Sequence, residues 1–257
     1  MTAIAEVADR IRANPVPVLI VDSCNFLDLF RVTLPNEDNE KGRRVELPEL
    51  AAAQRILEEL TLPKPSLQLV VPELIPREVA ENTDRIVAPA FRTWLDAHDV
   101  NQQWVADAAA TIGAAPPPVN PVVPFELSTH FQTFSERLLA TATVLDRDLP
   151  CLLRAVERVV AKRRPSHRKE LKDSMNLEQT LELCRQLAIG DSYEHSLCFV
   201  SSNTRDFADK DGSRIHADLK AEFDAVSLKY FTSLRSVRGH LIRRDRGYLN
   251  GEVPGLS

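Results

Sequence analysis

No stretch of the chain is both long and apolar. The strongest run, Val16–Val21 (VPVLIV), is short and broken by proline. A membrane helix needs about 20 consecutive apolar residues, so no spanning segment is expected. The first residues, MTAIAEVADRIR, carry acids and have none of the apolar core of a secretory signal. Cysteine is scarce and scattered: Cys24, Cys151, Cys184 and Cys198 form no CxxC pair. That excludes a zinc knuckle or a dithiol redox motif and fits a reducing, cytoplasmic compartment. The histidines include no HExxH. Neither GxGxxG nor GxxxxGK followed by Ser or Thr occurs, which removes dinucleotide-binding and P-loop folds. Positive charge is also in deficit. A net charge of −5 argues against a protein coated in basic residues, although local patches set the field that a substrate meets.

What is present fits an ordinary folded protein. Hydrophobic residues make up 44% and charged residues 27%, so disorder is not indicated. A length of 257 residues suits one α/β domain carrying a helical insertion. Ile4, Val7 and Ile11 share one helical face, and Asn14-Pro15 ends that helix. VPVLIV then reads as a buried parallel strand ending at Asp22. A charged loop over Asn36–Arg44 follows, then a helix over Pro48–Leu60 with proline near its start. Leu67–Val71 is a second strand, and it leads into a helix beginning near Pro76. Residues 84–165 read as helical throughout, divided by the proline-rich connector Ala115–Pro124. The region is expected to be an insertion within a single domain spanning 1–257, with Trp94 and Trp104 in its core. A helix over DSMNLEQTLELCRQL, a third strand in Ser196–Phe207, a fourth in Ala225–Phe231 and a last helix capped by Thr232 or Ser233 complete the chain. Strand–helix alternation predicts a central parallel sheet with helices on both faces.

In such a sheet, ligands bind beyond the carboxyl ends of the strands. Asp22 ends strand one, Glu78 follows strand two in the first turns of a helix, Asp173 opens the helix before strand three, and Asp206 lies in the loop after it. Four carboxylates at one edge repel one another, and cations relieve that repulsion. Mg²⁺ or Mn²⁺ suits an all-oxygen set, and the chain offers no soft nitrogen or sulfur cluster instead. Ser201 and Asn203 are expected to orient Asp206 or a water. The basic run Lys162–Lys172, with Arg163, Arg164, Arg168, Lys169 and Lys172, is read as a phosphate-contacting ramp or as a solvated helix end. Arg235, Arg238, Arg243, Arg244 and Arg246 form a second basic stretch with the same two readings.

The order of VDSCNFL, VPELIPREV, KDSMNLEQTL and FVSSNTRDF resembles the PIN domain family of nucleases, in particular longer bacterial relatives with a helical insert. The likeness covers the two ends of the chain and leaves 84–165 without a placed motif. It implies metal-dependent hydrolysis of nucleic acid, RNA more often than DNA, with Asp22, Glu78, Asp173 and Asp206 as the metal-holding acids and Glu178 as a further one. It also makes a toxin or defence effector, restrained by a protein partner, one context for such a chain, and leaves an oligomer open. The sequence departs from the family after Asp22, where Ser-Cys-Asn stands for the commoner Thr-Asn and Asn25 is the residue available for the usual Asn role. The alternative is a PIN-type module that binds nucleic acid or protein without cutting. Two further readings fail on single residues. Cys24 stands where haloacid-dehalogenase-like phosphatases need a second Asp, and DSCNF is not the DxSxS of integrin-type metal domains. Each acid also has a plainer role: Asp22 capping a strand end or beginning a turn, Asp173 as a helix N-cap, Glu78 as a dipole-favoured acid, Glu178 on a solvated face, Asp206 in an Asx turn.

Overall fold

The structure is a computed structural model that describes residues 2–29, 31, 46–111, 127–165, 171–189 and 193–244. The expected loop Asn36–Arg44, the connector Ala115–Pro124, and Arg168, Lys169 and Arg246 lie outside the described residues.

The elements run α1 (Ile4–Ala13), β1 (Val18–Val21), α2 (Ser23–Asp28), α3 (Leu47–Leu60), β2 (Gln68–Val71) and α4 (Ile75–Asn82). A π-helical turn (Thr83–Val87) then carries the chain into α5 (Ala88–Thr111), followed by α6 (Leu127–Ala140), β3 (Thr143–Val144), α7 (Leu149–Val160) and α8 (Leu171–Ala188). The chain continues through β4 (Leu197–Val200), α9 (Thr204–Phe207), α10 (Ala217–Ala225), β5 (Leu228–Phe231) and α11 (Leu234–Arg244).

The five strands form one sheet in the order β3-β2-β1-β4-β5, and every neighbouring pair is parallel. Period-two alternation splits each inner strand between two cores. Val18 and Ile20 of β1, with Leu197 and Phe199 of β4, face α1, α7, α8 and α10. Leu19 and Val21, with Cys198 and Val200, face α2, α3, α4, α6 and α11. The result is a sheet with a helical layer on each face, as the strand–helix alternation predicts.

Three departures have local causes. Residues 84–165 are not helical throughout, because β3 lies inside them and pairs with β2 at the sheet edge. Two residues are too few to show a period, so only the pairing defines the strand. Trp94 does sit in the insertion's own cluster, stacked on Phe91 with ring centroids 5.8 Å apart. Trp104, by contrast, is 69% exposed and is not core. Helix α10, absent from the sequence reading, fills the crossover that a parallel β4–β5 pair requires. Ser233 caps α11 as expected, its hydroxyl accepting from the Ser236 N–H at 3.1 Å.

Candidate functional site

The pairing register builds the centre of the site. Val21 of β1 lies opposite Val200 of β4, so the next residues, Asp22 and Ser201, leave the sheet side by side. Asp22 stops β1 and starts α2. Its backbone N–H bonds to the Val200 carbonyl at 2.9 Å, and its Oδ1 accepts from the Ser23 N–H at 2.8 Å. Its Oδ2 accepts from the Ser201 hydroxyl at 2.6 Å and from the Cys24 thiol at 3.2 Å. Ser201 is fixed in turn by Tyr230, whose hydroxyl donates to the Ser201 carbonyl at 2.9 Å. Ser201 therefore orients Asp22, not Asp206 as the sequence suggests. Burial raises the Asp22 pKa despite these hydrogen bonds, and the charge of Asp28 adds to the rise. Burial and the Asp22 charge push the Cys24 thiol well up, so it stays a protonated donor and a poor nucleophile.

Glu78 comes to the same place from the next strand. Pro76 sits within the opening turn of α4, and Glu78 follows in the first turn, largely buried. Its pKa is raised, first by burial and then by the Asp22 charge, and is held down by hydrogen bonds from Ser23 and Asn176 and by the Lys172 cation. The Lys172 Nζ lies 3.9 Å from Glu78 Oε1 and 3.9 Å from Glu81 Oε2. Lys172 thus serves the acids of the site as a counter-charge. Asn176, one turn along α8, places its Nδ2 at 3.5 Å from Glu78 Oε2. Its Oδ1 is buried with no hydrogen-bond partner among the described residues. Such orphaned acceptors are rare in folded proteins and call for an explanation. Gln179 holds this face of α8 over the strand ends, accepting from the Glu73 N–H at 2.9 Å and donating to the Asp146 carbonyl at 2.8 Å.

Asp173 lies in the first turn of α8, half-buried, inside the helix and not at its cap. Asp206 is buried in α9. That short helix is clamped from outside: Arg164 Nη1 donates to the Arg205 carbonyl at 2.7 Å and to the Asp206 carbonyl at 3.2 Å. The structure joins Asp22 and Glu78 electrostatically, but among the described residues no three His, Cys, Asp or Glu side chains form a group able to hold a metal. Of the four acids expected at the site, Asp22 and Glu78 act on each other through their charges, while Asp173 stands in the first turn of α8 and Asp206 in α9.

Glu178 has a different role from the expected one. Its Oε1 accepts from Arg158 Nε at 2.9 Å and Nη2 at 2.5 Å, and its Oε2 from Arg154 Nε at 3.0 Å. Both oxygens face guanidinium groups, so in this structure Glu178 serves as the counter-ion of Arg154 and Arg158. On the helix it is about 140° from Asp173, which explains why the two serve different neighbours. Asn25 ties strand ends together: its Oδ1 accepts from the Ser202 N–H at 3.1 Å and its Nδ2 donates to the Thr232 carbonyl at 3.4 Å. Asn203 supplies its backbone carbonyl to the N–H groups of Asp206 and Phe207, both at 3.2 Å. Of the basic run, Arg163 is exposed, while Arg164 and Lys172 have the internal partners given above. Two members of the site escaped the sequence reading. Asn176 stands three residues after Asp173, which on a helix is the adjacent turn of the same face, and that spacing could have found it. Asp28, which accepts from the Ser202 hydroxyl at 2.5 Å, gave no such signal.

The donor chemistry fits a hard divalent cation. The available groups are the carboxylates of Asp22 and Glu78 and the amide oxygen of Asn176, all oxygen. Mg²⁺ is commonly held by only one or two carboxylates and keeps several waters. No protein-family model, curated protein or solved structure matches the chain.

Proposed function

We propose that the chain is a divalent-metal-dependent nuclease of the PIN type, acting in the cytoplasm on RNA in preference to DNA. One observation carries this reading. Two buried carboxylates, Asp22 and Glu78, both have raised pKa values beside a buried amide oxygen without a partner, at the carboxyl edge of a parallel sheet. A buried like-charged pair is a standing electrostatic conflict, and a cation or a proton resolves it. Asp22, Glu78 and Asn176 would hold Mg²⁺ or Mn²⁺ through oxygen. Once bound, the ion supplies an activated water and stabilises charge growing on a phosphate.

The chain's own residues prepare the ligands. Ser201 and Ser23 fix the Asp22 carboxylate, and the Lys172 cation partly offsets the rise that burial and Asp22 impose on the Glu78 pKa. No covalent nucleophile is needed.

The experiment is cleavage of labelled RNA and single-stranded DNA in Mn²⁺ or Mg²⁺, comparing the intact chain with Asp22→Asn. Metal-dependent cutting that falls at least a hundredfold in the variant supports the reading. Equal cutting by both ends it. That no three acids form a metal-holding group among the described residues favours a second reading, a PIN-type module that binds nucleic acid or protein without catalysis. Binding that survives chelation, with no cutting in any metal, selects that one.

A further inference from the structure

A cavity of about 720 Å³ opens in the groove between α3 and α11, beyond the carboxyl end of β5. Its wall carries Arg55, Arg235, Arg238, Ser233, Ser236 and Phe231. Arg55 is paired with Glu58 at 2.8 Å. Among the described residues the guanidinium groups of Arg235 and Arg238 have no ion pair or hydrogen bond, and Arg238 acts on Glu58 only through space. The start of α11 is not the source of this positive field. The buried Glu49 carboxylate already accepts from the Leu234 N–H at 2.6 Å and the Arg235 N–H at 3.0 Å. The charge that remains for a ligand belongs to side chains.

The cavity and the acid pair lie on the same rim of the sheet. Asn25, which follows Asp22 into α2, reaches the Thr232 carbonyl at the exit of β5. In the order β1-β4-β5 that exit is two strand spacings from Asp22, roughly 10 Å. Guanidinium forks match phosphate oxygens and the serine hydroxyls add donors, while Phe231, packed on the core and against His240, forms the cavity floor.

We propose that this groove is a phosphate-binding subsite for single-stranded RNA, with Arg235 and Arg238 gripping the backbone of the strand whose scissile phosphate lies at Asp22 and Glu78. Only the position of the scissile phosphate rests on the nuclease reading; the binding stands or falls separately. Phosphate contact thereby moves from the 162–172 run, where Arg164 and Lys172 have internal partners, to the face on the other side of the acids.

The test is binding of a fluorescent single-stranded RNA of about ten nucleotides to the full chain in chelator, by anisotropy across a salt series. The pair Arg235→Gln with Arg238→Gln should weaken binding about tenfold or more, at the scale of a charged hydrogen bond. The slope of log affinity against log salt should fall by about 0.7 for each phosphate no longer neutralised. Ala51→Glu, which puts a carboxylate on the cavity wall without touching either arginine, should weaken binding as well. Arg10→Gln, exposed on α1 and outside the cavity, should leave it unchanged. Normal binding by both cavity variants overturns the proposal, as does an intact chain that binds no RNA. Cavity-dependent binding with no cutting in any metal keeps the subsite and removes the nuclease. Asp22-dependent cutting with an unchanged KM in the cavity variants keeps the nuclease and removes the subsite.

Discussion

Replacing Asp22 with Asn should make the metal-free protein more stable at neutral pH. Asn caps helices as well as Asp, so the start of α2 keeps its cap. The Ser23 N–H keeps an acceptor, and the Ser201 hydroxyl can turn to accept from the new amide, so no buried donor is stranded. What disappears is a charge that burial and its acidic neighbours oppose. Each unit by which folding raises a pKa corresponds to about 1.4 kcal/mol. The sign follows from the direction. A raised acid contributes stability that is fully present below its ordinary value, 3.8 for Asp22, and that is lost as pH rises through the folded value. Wild type and Asp22→Asn should therefore differ little near pH 4 and separate on the alkaline side. For a chain of this size ~1.4 kcal/mol moves the melting temperature by roughly 3–6 °C. Melting curves at pH 5 and pH 8 in chelator read this directly. Saturating Mn²⁺ should raise the wild type and leave the variant nearly unmoved, narrowing or reversing the gap. A variant that melts below wild type at pH 8 without metal would show the carboxylate to be a structural cap, and the conflict would not exist.

Other consequences concern the scaffold and the ligand. Arg158 is 1% exposed and holds Glu178, Glu222 and the Arg164 carbonyl. Arg158→Met strands buried carboxylate and should cost about 3–5 kcal/mol, read from the urea midpoint at unchanged slope, whereas Arg158→Met with Glu178→Leu should recover much of that cost. Ser201→Ala removes the first of the hydrogen bonds that lower the Asp22 pKa, so the midpoint of Mn²⁺ binding against pH should move up; an unmoved midpoint would mean Ser201 does not act on Asp22.

How much of the fold is legible in the chain depends on the range of the interaction. β1, β2, β4 and β5 are short apolar runs bounded by Pro, Ser or Asp, so local pattern is enough for them. β3 exists only because Val70 and Val71 offer an edge to pair with, and no local pattern carries that. Asp22 and Ser201 are legible as strand ends, and the parallel register then makes them neighbours without further information. Which face of α8 meets which helix is not legible. Residues 174–181 of α8 are all buried, so amphipathic pattern cannot tell the Asn176 side from the Glu178 side. Trp104 departs from expectation for the opposite reason: residue type favours burial, but among the described residues the α5 surface that carries it belongs to no core cluster.

Glu178 links the arginines of α7 to the position of another acid. The family resemblance puts it among the metal acids, yet its carboxylate anchors Arg158, and Arg158 Nη1 holds the Arg164 carbonyl at 2.9 Å. The Arg164 guanidinium in turn grips the carbonyls of Arg205 and Asp206. One acid of α8 thus governs, through two arginines, where another acid stands after β4. The link runs through buried charge, whose geometry is expensive to disturb because any break leaves an ion without its partner. Position along the rim is therefore not independent for each acid. The Asp22–Glu78 pair is set by the sheet register, and Asp206 by an ion-paired strut from the opposite helical layer.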